Sequence, residues 1–195
     1  VDTKKNLGFG KGHNYVIPCL NSDYHAIVNP DIVLYSDVFT PLVSFLSENQ
    51  DVGMTAPVLT DEYNNVLRVY RRDITVYDLL CRYVRIKPLK KRFDFHTMED
   101  VDKTKDFDCE FVQGSFLVVR TDLFKNVRGF DDRYFMYAED ADLCRTIRKQ
   151  SRIVVHPAVR VVHKWEKASH TNFKLTRIHA VSLVKYFNKW GWKIC

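Results

Sequence analysis

Residues 129–150, GFDDRYFMYAEDADLCRTIRKQ, gather Asp131, Asp132, Glu139, Asp140 and Asp142 around the aromatic run of Tyr134, Phe135 and Tyr137, then turn basic. The stretch Glu139–Lys149 reads as a helix, because its acidic first turn and its basic end at Arg145, Arg148 and Lys149 complement the helix dipole. Carboxylates in that position are accounted for by the dipole alone, at about 0.3–1 kcal/mol each. The four large side chains that precede them suggest something more. An apolar wall beside a carboxyl group raises its pKa and suits it to accept a proton as a general base. On this stretch alone both readings stand.

Three other stretches could carry chemistry. Asn29-Pro30-Asp31 follows the apolar run Tyr24–Val28, where a strand would end. Open α/β sheets bind ligands beyond the carboxyl ends of their strands, and an Asp there can hold a divalent cation against a diphosphate. An Asx-type turn that merely ends the strand fits the same residues. His163 follows AVRVV and could complete a metal site, although a lone His is more often structural, and His156 and His170 compete with it. The Gly-rich NLGFGKGHN, residues 6–14, permits close backbone approach to a ligand but is neither a P-loop nor a dinucleotide fingerprint. No nucleophile elbow and no zinc-type Cys/His spacing is present.

These groups need elements to bring them together. The spacing predicts a helix entered through Asn14-Tyr15-Val16-Ile17, a strand over Tyr24–Val28, a helix over Thr40–Asn49 with Leu42, Phe45 and Leu46 inward, and a strand in VGMTAPVL. Strand, helix, strand is the unit of a parallel sheet. Further strands are expected at Phe111–Val119 and in RIVVHPAVRVVHKW, with a short helix capped by Thr121. Residues 68–105 read as a long, weakly patterned excursion with one helix at VYDLLCRYV. A last helix, residues 174–190, is expected to put Ala180, Leu183, Val184, Phe187 and Trp190 on one face and Lys174, Lys185 and Lys189 on the other.

The chain has 195 residues, 46% of them hydrophobic, enough for one large domain or two small ones. Its net charge of +6 is uneven: −5 over residues 1–67, +7 over 68–92, −3 over 93–159 and +7 over 160–195. An acidic body with basic margins fits a carboxylate- or metal-using centre better than a nucleic-acid binder, whose basic runs would interleave with aromatics. The five cysteines are scattered and odd in number, which points to reduced thiols in a cytoplasmic protein. No apolar run reaches the ~18 residues of a membrane span.

Taken in order, NLGFGKGHN, YHAIVNPD, VQGSFLVVRTDLF, RGFDDRYFMYAEDADLCRTI and VVHKWEKAS resemble the inverting family 2 glycosyltransferases, in the rhamnosyltransferase-like branch that builds bacterial surface polysaccharides. The likeness covers roughly residues 3–170. It implies an α/β GT-A fold with a mostly parallel sheet, here without the usual N-terminal strand–helix unit, over residues 1–170, followed by a basic amphipathic helix and tail over 171–195. It implies Asp140 as general base with Glu139 beside it, and Asp31 and His163 as ligands of Mn2+ or Mg2+. It places Asn6, Gly8, Asn14, Asn29 and Asp31 on the donor side, and Gly114, Ser115 and Tyr137 on the acceptor side. The expected partners are a nucleotide-sugar such as dTDP-rhamnose and a saccharide or lipid-linked saccharide. The last helix could rest on an anionic inner leaflet, or dock on the core with a solvated basic face; nucleic acid is not expected. A non-catalytic remnant serving as an assembly partner, or a basic phosphate-binding module, are the alternatives.

Overall fold

The computed structural model describes residues 4–83, 87–164 and 173–194. Its strands are β1 (Tyr24–Val28), β2 (Ile32–Val33), β3 (Val52–Thr60), β4 (Phe107–Asp108), β5 (Phe116–Arg120) and β6 (Arg152–His163). Its helices are α1 (Phe9–Asn14), α2 (Phe39–Glu48), α3 (Val76–Tyr83), α4 (Lys87–His96), α5 (Thr121–Asn126), α6 (Glu139–Ile147) and α7 (Phe173–Trp190), with a 3-10 turn at Ile17–Cys19.

All nine residues of β3 are buried, the mark of a strand covered on both faces. The sheet is built around it in the order β1-β5-β3-β6-β2, with β4 also paired to β6. The long central pair, β3 with β6, is parallel, as expected of this fold. The other pairs are antiparallel, so the sheet is mixed. β1 and β3 run the same way, but β5 lies between them, antiparallel to both. A sequence pattern marks a strand as buried; it does not choose its neighbour, which is why the strand–helix–strand reading was correct in direction and not in adjacency. Strand β6 bends at His156-Pro157: the register passes from Pro57↔His156 to Val58↔Arg160, skipping residues that would need the N–H that Pro157 lacks.

α2 is seated by Leu42 and Leu46, both fully buried, while Phe45 stacks on His156 with ring centres 4.5 Å apart. Its start is held by Asp37, whose Oδ1 accepts the N–H groups of Phe39 and Thr40. Several boundaries differ from the sequence reading. α1 ends at Asn14 instead of starting there. β5 is shorter than Phe111–Val119 and leaves Gly114 in the loop before it. Thr121 opens α5 without capping it, since no side-chain cap bond is present.

The basic excursion is more ordered than its pattern suggests. α3 falls where expected. α4 was not foreseen, because its charged sequence, KPLKKRFDFH, carries little apolar periodicity. Ion pairs hold this region: Arg92 with the buried Asp78, Arg72 with Asp100 and Arg68 with Glu99. α7 docks on the body through Tyr186 and Phe187, which cluster with Tyr134, Leu183 and Trp190. Its inward face is therefore rotated from the expected one. Val184 is exposed, and Lys189 points inward to Asp131 and Asp142.

Candidate active site

The five carboxylates of the opening stretch sort into two groups. Asp131, Asp132 and Asp142 hold the fold. Asp142 accepts from Lys189 Nζ (2.7 Å), Trp190 Nε1 (2.7 Å) and Tyr134 Oη (3.3 Å), fastening α7 to α6. Asp131 pairs with Arg133 and Lys189, which together hold its carboxyl well below the usual range. Asp132 accepts from Asn14.

Glu139 and Asp140 are placed differently. The two residues before them, Tyr137 (φ 70°) and Ala138 (φ 64°), both adopt the left-handed conformation, and the helix starts abruptly from that turn. Left-handed backbone at side-chain-bearing residues costs roughly 1–2 kcal/mol each. Such strain persists where the surroundings enforce it, often beside a site. Asp140 Oδ2 accepts the Gly114 N–H at 3.3 Å, and Oδ1 accepts the Ala141 N–H at 2.9 Å. Burial raises the Asp140 carboxyl, against the pull of these N–H groups and of the Arg71 charge. Glu139 is buried with Oε2 lacking any hydrogen-bond partner. Its carboxyl is pushed up to about 8, first by burial and then by the Asp140 charge. Burial thus raises both carboxyls, and each opposes the ionisation of the other.

A short path of contacts runs from this pair to the end of β1. Gly114 bonds Asp140, its neighbour Ser115 accepts the Asn29 N–H at 2.8 Å through its carbonyl, and Asn29 begins the Asn-Pro-Asp turn. Asp31 Oδ2 lies 3.0 Å from His163 Nε2, because Ile32 and Val33 of β2 pair with His163 and Val162 of β6. The second Asp31 oxygen is buried without a partner. Among the described residues no three His, Cys, Asp or Glu side chains converge. A carboxylate and an imidazole still fit Mn2+ or Mg2+, ions that keep waters and take further oxygens from a bound phosphate.

Glycines of the Gly-rich stretch pack against the acidic loop. A Cβ on Gly8 (φ 81°) would lie 2.1 Å from the Phe135 carbonyl oxygen, and one on Gly10 would lie 2.8 Å from Phe130 Cβ. Asn6 accepts the Gly8 N–H through its side chain. Asn14 spends both amide hydrogens on the Phe130 carbonyl and Asp132, and its Oδ1 accepts the Phe130 N–H. Asn14 therefore clamps α1 to the acidic block. Gly114 lies between the Phe9 ring and Asp140, so α1 also forms one side of the surroundings of Asp140. Tyr137 stacks obliquely on His179 of α7 at 4.9 Å. The Trp165–Ser169 part of the resemblance, and His170, lie outside the described residues.

Sequence reasoning missed Arg71 and His179. Arg71 exchanges both backbone hydrogen bonds with Phe111 and sets its guanidinium over that ring, 5.5 Å from the centroid. No local motif marks either residue; tertiary packing brings the Arg71 charge to bear on Asp140 and His179 against Tyr137.

A glycosyltransferase of the GT-A type is what this fold and this carboxylate arrangement define. The chain matches the family described as "Glycosyltransferase like family 2" over residues 1–179, and it belongs to that family. It is 27% identical over 196 residues to rhamnosyltransferase WbbL of Escherichia coli, covering 92% of this chain and 69% of that protein. It is 26% identical over 180 residues to the N-acetylglucosaminyl-diphospho-decaprenol L-rhamnosyltransferase of Mycobacterium tuberculosis, covering 84% of this chain and 57% of that one. These relatives set it in the rhamnosyltransferase-like branch. Solved structures show the same fold. GalNAc-T7 with UDP, GalNAc and Mn2+ aligns with a TM-score of 0.65 at 13% identity, over 95% of this chain and 35% of that one. The mannosyltransferase PcManGT of Pyrobaculum calidifontis, in complex with GDP-Man and Mn2+, aligns with a TM-score of 0.61 at 16% identity, over 97% and 45%. The chain thus spans 57–69% of the length of these curated relatives, and under half of each solved chain.

Proposed function

We propose that this chain carries the centre of a metal-dependent inverting transferase. It moves a sugar, rhamnose in keeping with its branch, from a nucleotide-sugar such as dTDP-rhamnose to a saccharide or lipid-linked saccharide. The observation that carries the reading is a run of polar side-chain atoms buried without partners: Asp31 Oδ1, Gln113 Oε1, Ser115 Oγ and Glu139 Oε2. Buried polar groups are nearly always satisfied, and each orphan calls for an explanation. Here they follow one path from the end of β1 to the start of α6, as a polar substrate would require.

In this reading Asp140 takes the proton of the acceptor hydroxyl as its oxygen attacks the anomeric carbon of the donor. Glu139, holding its own proton near pH 7, leaves Asp140 as the ionised partner. The bond to the nucleotide diphosphate breaks on the opposite face, and a single displacement inverts the anomeric centre. A divalent ion bound by Asp31 and His163 would neutralise charge on the departing diphosphate. Asn29 and Asp31, with the Asn6-Gly8 turn, form the donor side; Gly114, Ser115 and Tyr137 form the acceptor side. Residues 1–170 form the transferase unit. The exposed Phe173 and Val181, with the basic Lys174 and Arg177 on the same helix, provide a peripheral contact with an anionic leaflet on the cytoplasmic side.

The test is a panel of nucleotide-sugars scored by thermal stabilisation with and without Mn2+. A ligand at a hundredfold excess over its Kd stabilises by about 2.7 kcal/mol, which for a chain of this size is about 5–10 °C. We expect a dTDP-sugar to do this only with the metal, and Asp31→Ala to remove the effect. A panel that leaves the melting temperature unmoved under every condition would overturn the reading.

A further inference from the structure

The loop that leads into α6 is held from two sides. From α1, the Phe9 N–H donates to the Phe135 carbonyl at 3.1 Å. From the other side α7 meets the loop at successive points. Lys189 Nζ pairs with Asp131 at 2.9 Å, Lys185 Nζ donates to the Arg133 carbonyl at 2.6 Å, and Ser182 Oγ donates to the Met136 carbonyl at 2.8 Å. The His179 ring lies 4.9 Å from that of Tyr137, and Ala138 packs on the cluster of Tyr134, Tyr186 and Phe187. As the loop runs forward from Asp131 to Tyr137, its partners run backward along α7 from Lys189 to His179. These partners recur at three- and four-residue intervals, so one face of the helix lies antiparallel along the loop.

Two of these bonds go to backbone carbonyls, and they govern how peptide planes are turned. The Met136 carbonyl belongs to the plane that enters Tyr137. A rotation of that plane is what would let Tyr137 leave φ 70° for ordinary backbone. The Ser182 bond opposes the rotation. Ser182 is buried, where a bond left unmade costs most. We propose that Ser182 and Lys185 are positioning residues for the carboxylate pair: through the Met136 and Arg133 carbonyls they hold Tyr137 and Ala138 in the left-handed turn that aims Glu139 and Asp140. α7 then completes the transferase unit of residues 1–170 and does more than cover it. The family match ends at residue 179, ahead of both positioning residues. The catalytic meaning of the pair rests on the transferase reading above; the hold on the turn does not.

A helix that only covered the surface would add stability and leave the pair's surroundings alone. The two roles differ at Glu139, whose Oε2 is buried without a partner and whose carboxyl is pushed up to about 8. Asp140 is the charged neighbour that acts on it, and Asp140 is kept in every variant below. The experiment labels the glutamate carboxyl carbons of the full chain and titrates them by NMR, Glu139 being the signal missing in Glu139→Gln. Ser182→Ala and Lys185→Met are each expected to relax the turn, admit water and lower the Glu139 midpoint by about one pH unit or more, toward 4.5. Lys185→Arg, which restores a donor, is expected to return it to the wild-type value. Lys185 is only half-buried, so its variants keep the test open where Ser182→Ala fails to fold. An unchanged midpoint in folded Lys185→Met and Ser182→Ala would overturn the positioning role. A wild-type midpoint already near 4.5 would overturn it too, because the turn would not then be keeping Glu139 from water. No turnover enters the readout, so a wild type that transfers no sugar would count against the transferase reading and leave the titration result standing.

Discussion

Asp140 and Glu139 are adjacent acids with different duties, and their surroundings separate them. Asp140 is held by two N–H donors and lies within the field of Arg71. Glu139 has an unpartnered oxygen and a carboxyl pushed up to about 8. On the proposed assignment Asp140 is the base, and Asp140→Asn should lower kcat by about 10²–10⁴-fold while the donor Kd stays nearly unchanged. Near-normal turnover would transfer the role elsewhere. For Glu139 the sign follows from linkage. The folded state holds this proton above the ordinary value of 4.5, so it binds more protons than the unfolded chain between 4.5 and about 8, and stability falls as pH rises across that window. The buried His96 and the half-buried His13, His25 and His179 are lowered, and they tilt the curve the other way below 6.5. The clean interval is therefore about pH 6.5–8, where Glu139→Gln should flatten the decline of Tm; an unchanged slope would show that Glu139 is ionised in the folded state. The sequence marked both acids because their order, acids straight after aromatics, is local. It could not separate them from Asp142 three turns of logic away, since what distinguishes Asp142 is Lys189 and Trp190, far along the chain.

At the scale of elements, α1 and the loop before α6 act as a single piece. Gly8 adopts φ 81° and ψ 179°, a conformation open essentially only to glycine, and passes against the Phe135 carbonyl. Gly129 does the same for Asn14, whose Oδ1 would lie 2.2 Å from an added Cβ. The glycines that resembled a ligand cradle in the sequence are therefore the contact surface between α1 and the acidic loop. Composition shows that backbone must come close to something; only packing shows that the something is another loop. Gly8→Ala should destabilise by about 2 kcal/mol or more and reduce activity with it, because the turn that aims Glu139 and Asp140 leans on this contact. Gly12, in the same helix, meets nothing within 4 Å, and Gly12→Ala should instead stabilise by about 0.4–1 kcal/mol. Urea unfolding of both variants checks the pair, and similar effects from the two would refute the contact. Strands and helices with clear periodicity, β3 and α2 above all, were legible in the sequence. α4 was not, because ion pairs to Asp78, Asp94 and Glu99 hold its neighbourhood where apolar spacing does not.

For the whole molecule, the net charge of +6 says less than its distribution. Much of the +7 of residues 68–92 is neutralised by carboxylates of residues 78–100, so little of it is free for a distant partner. Basic residues of α7, Lys174 and Arg177 among them, lie next to the exposed apolar Phe173, Val181 and Val184, and among the described residues no helix is long and apolar enough to cross a membrane. On the proposed membrane contact, attraction amounts to about 1 kcal/mol per basic residue close to an anionic leaflet. Binding to vesicles containing anionic lipid should therefore exceed binding to neutral ones and fall steeply as rising salt shrinks the screening length below about 8 Å. Val181 and Val184 are 46% and 47% exposed, so charge can be placed there without opening the core. The double substitution Val181→Glu and Val184→Glu should leave Tm and metal-dependent nucleotide binding intact while abolishing vesicle binding in a flotation assay. If the variant floats with anionic vesicles as wild type does, α7 does not face the lipid. The outer side of the helix would then serve only as solvated surface, since its inner side is already engaged by Tyr134, Asp131 and Asp142.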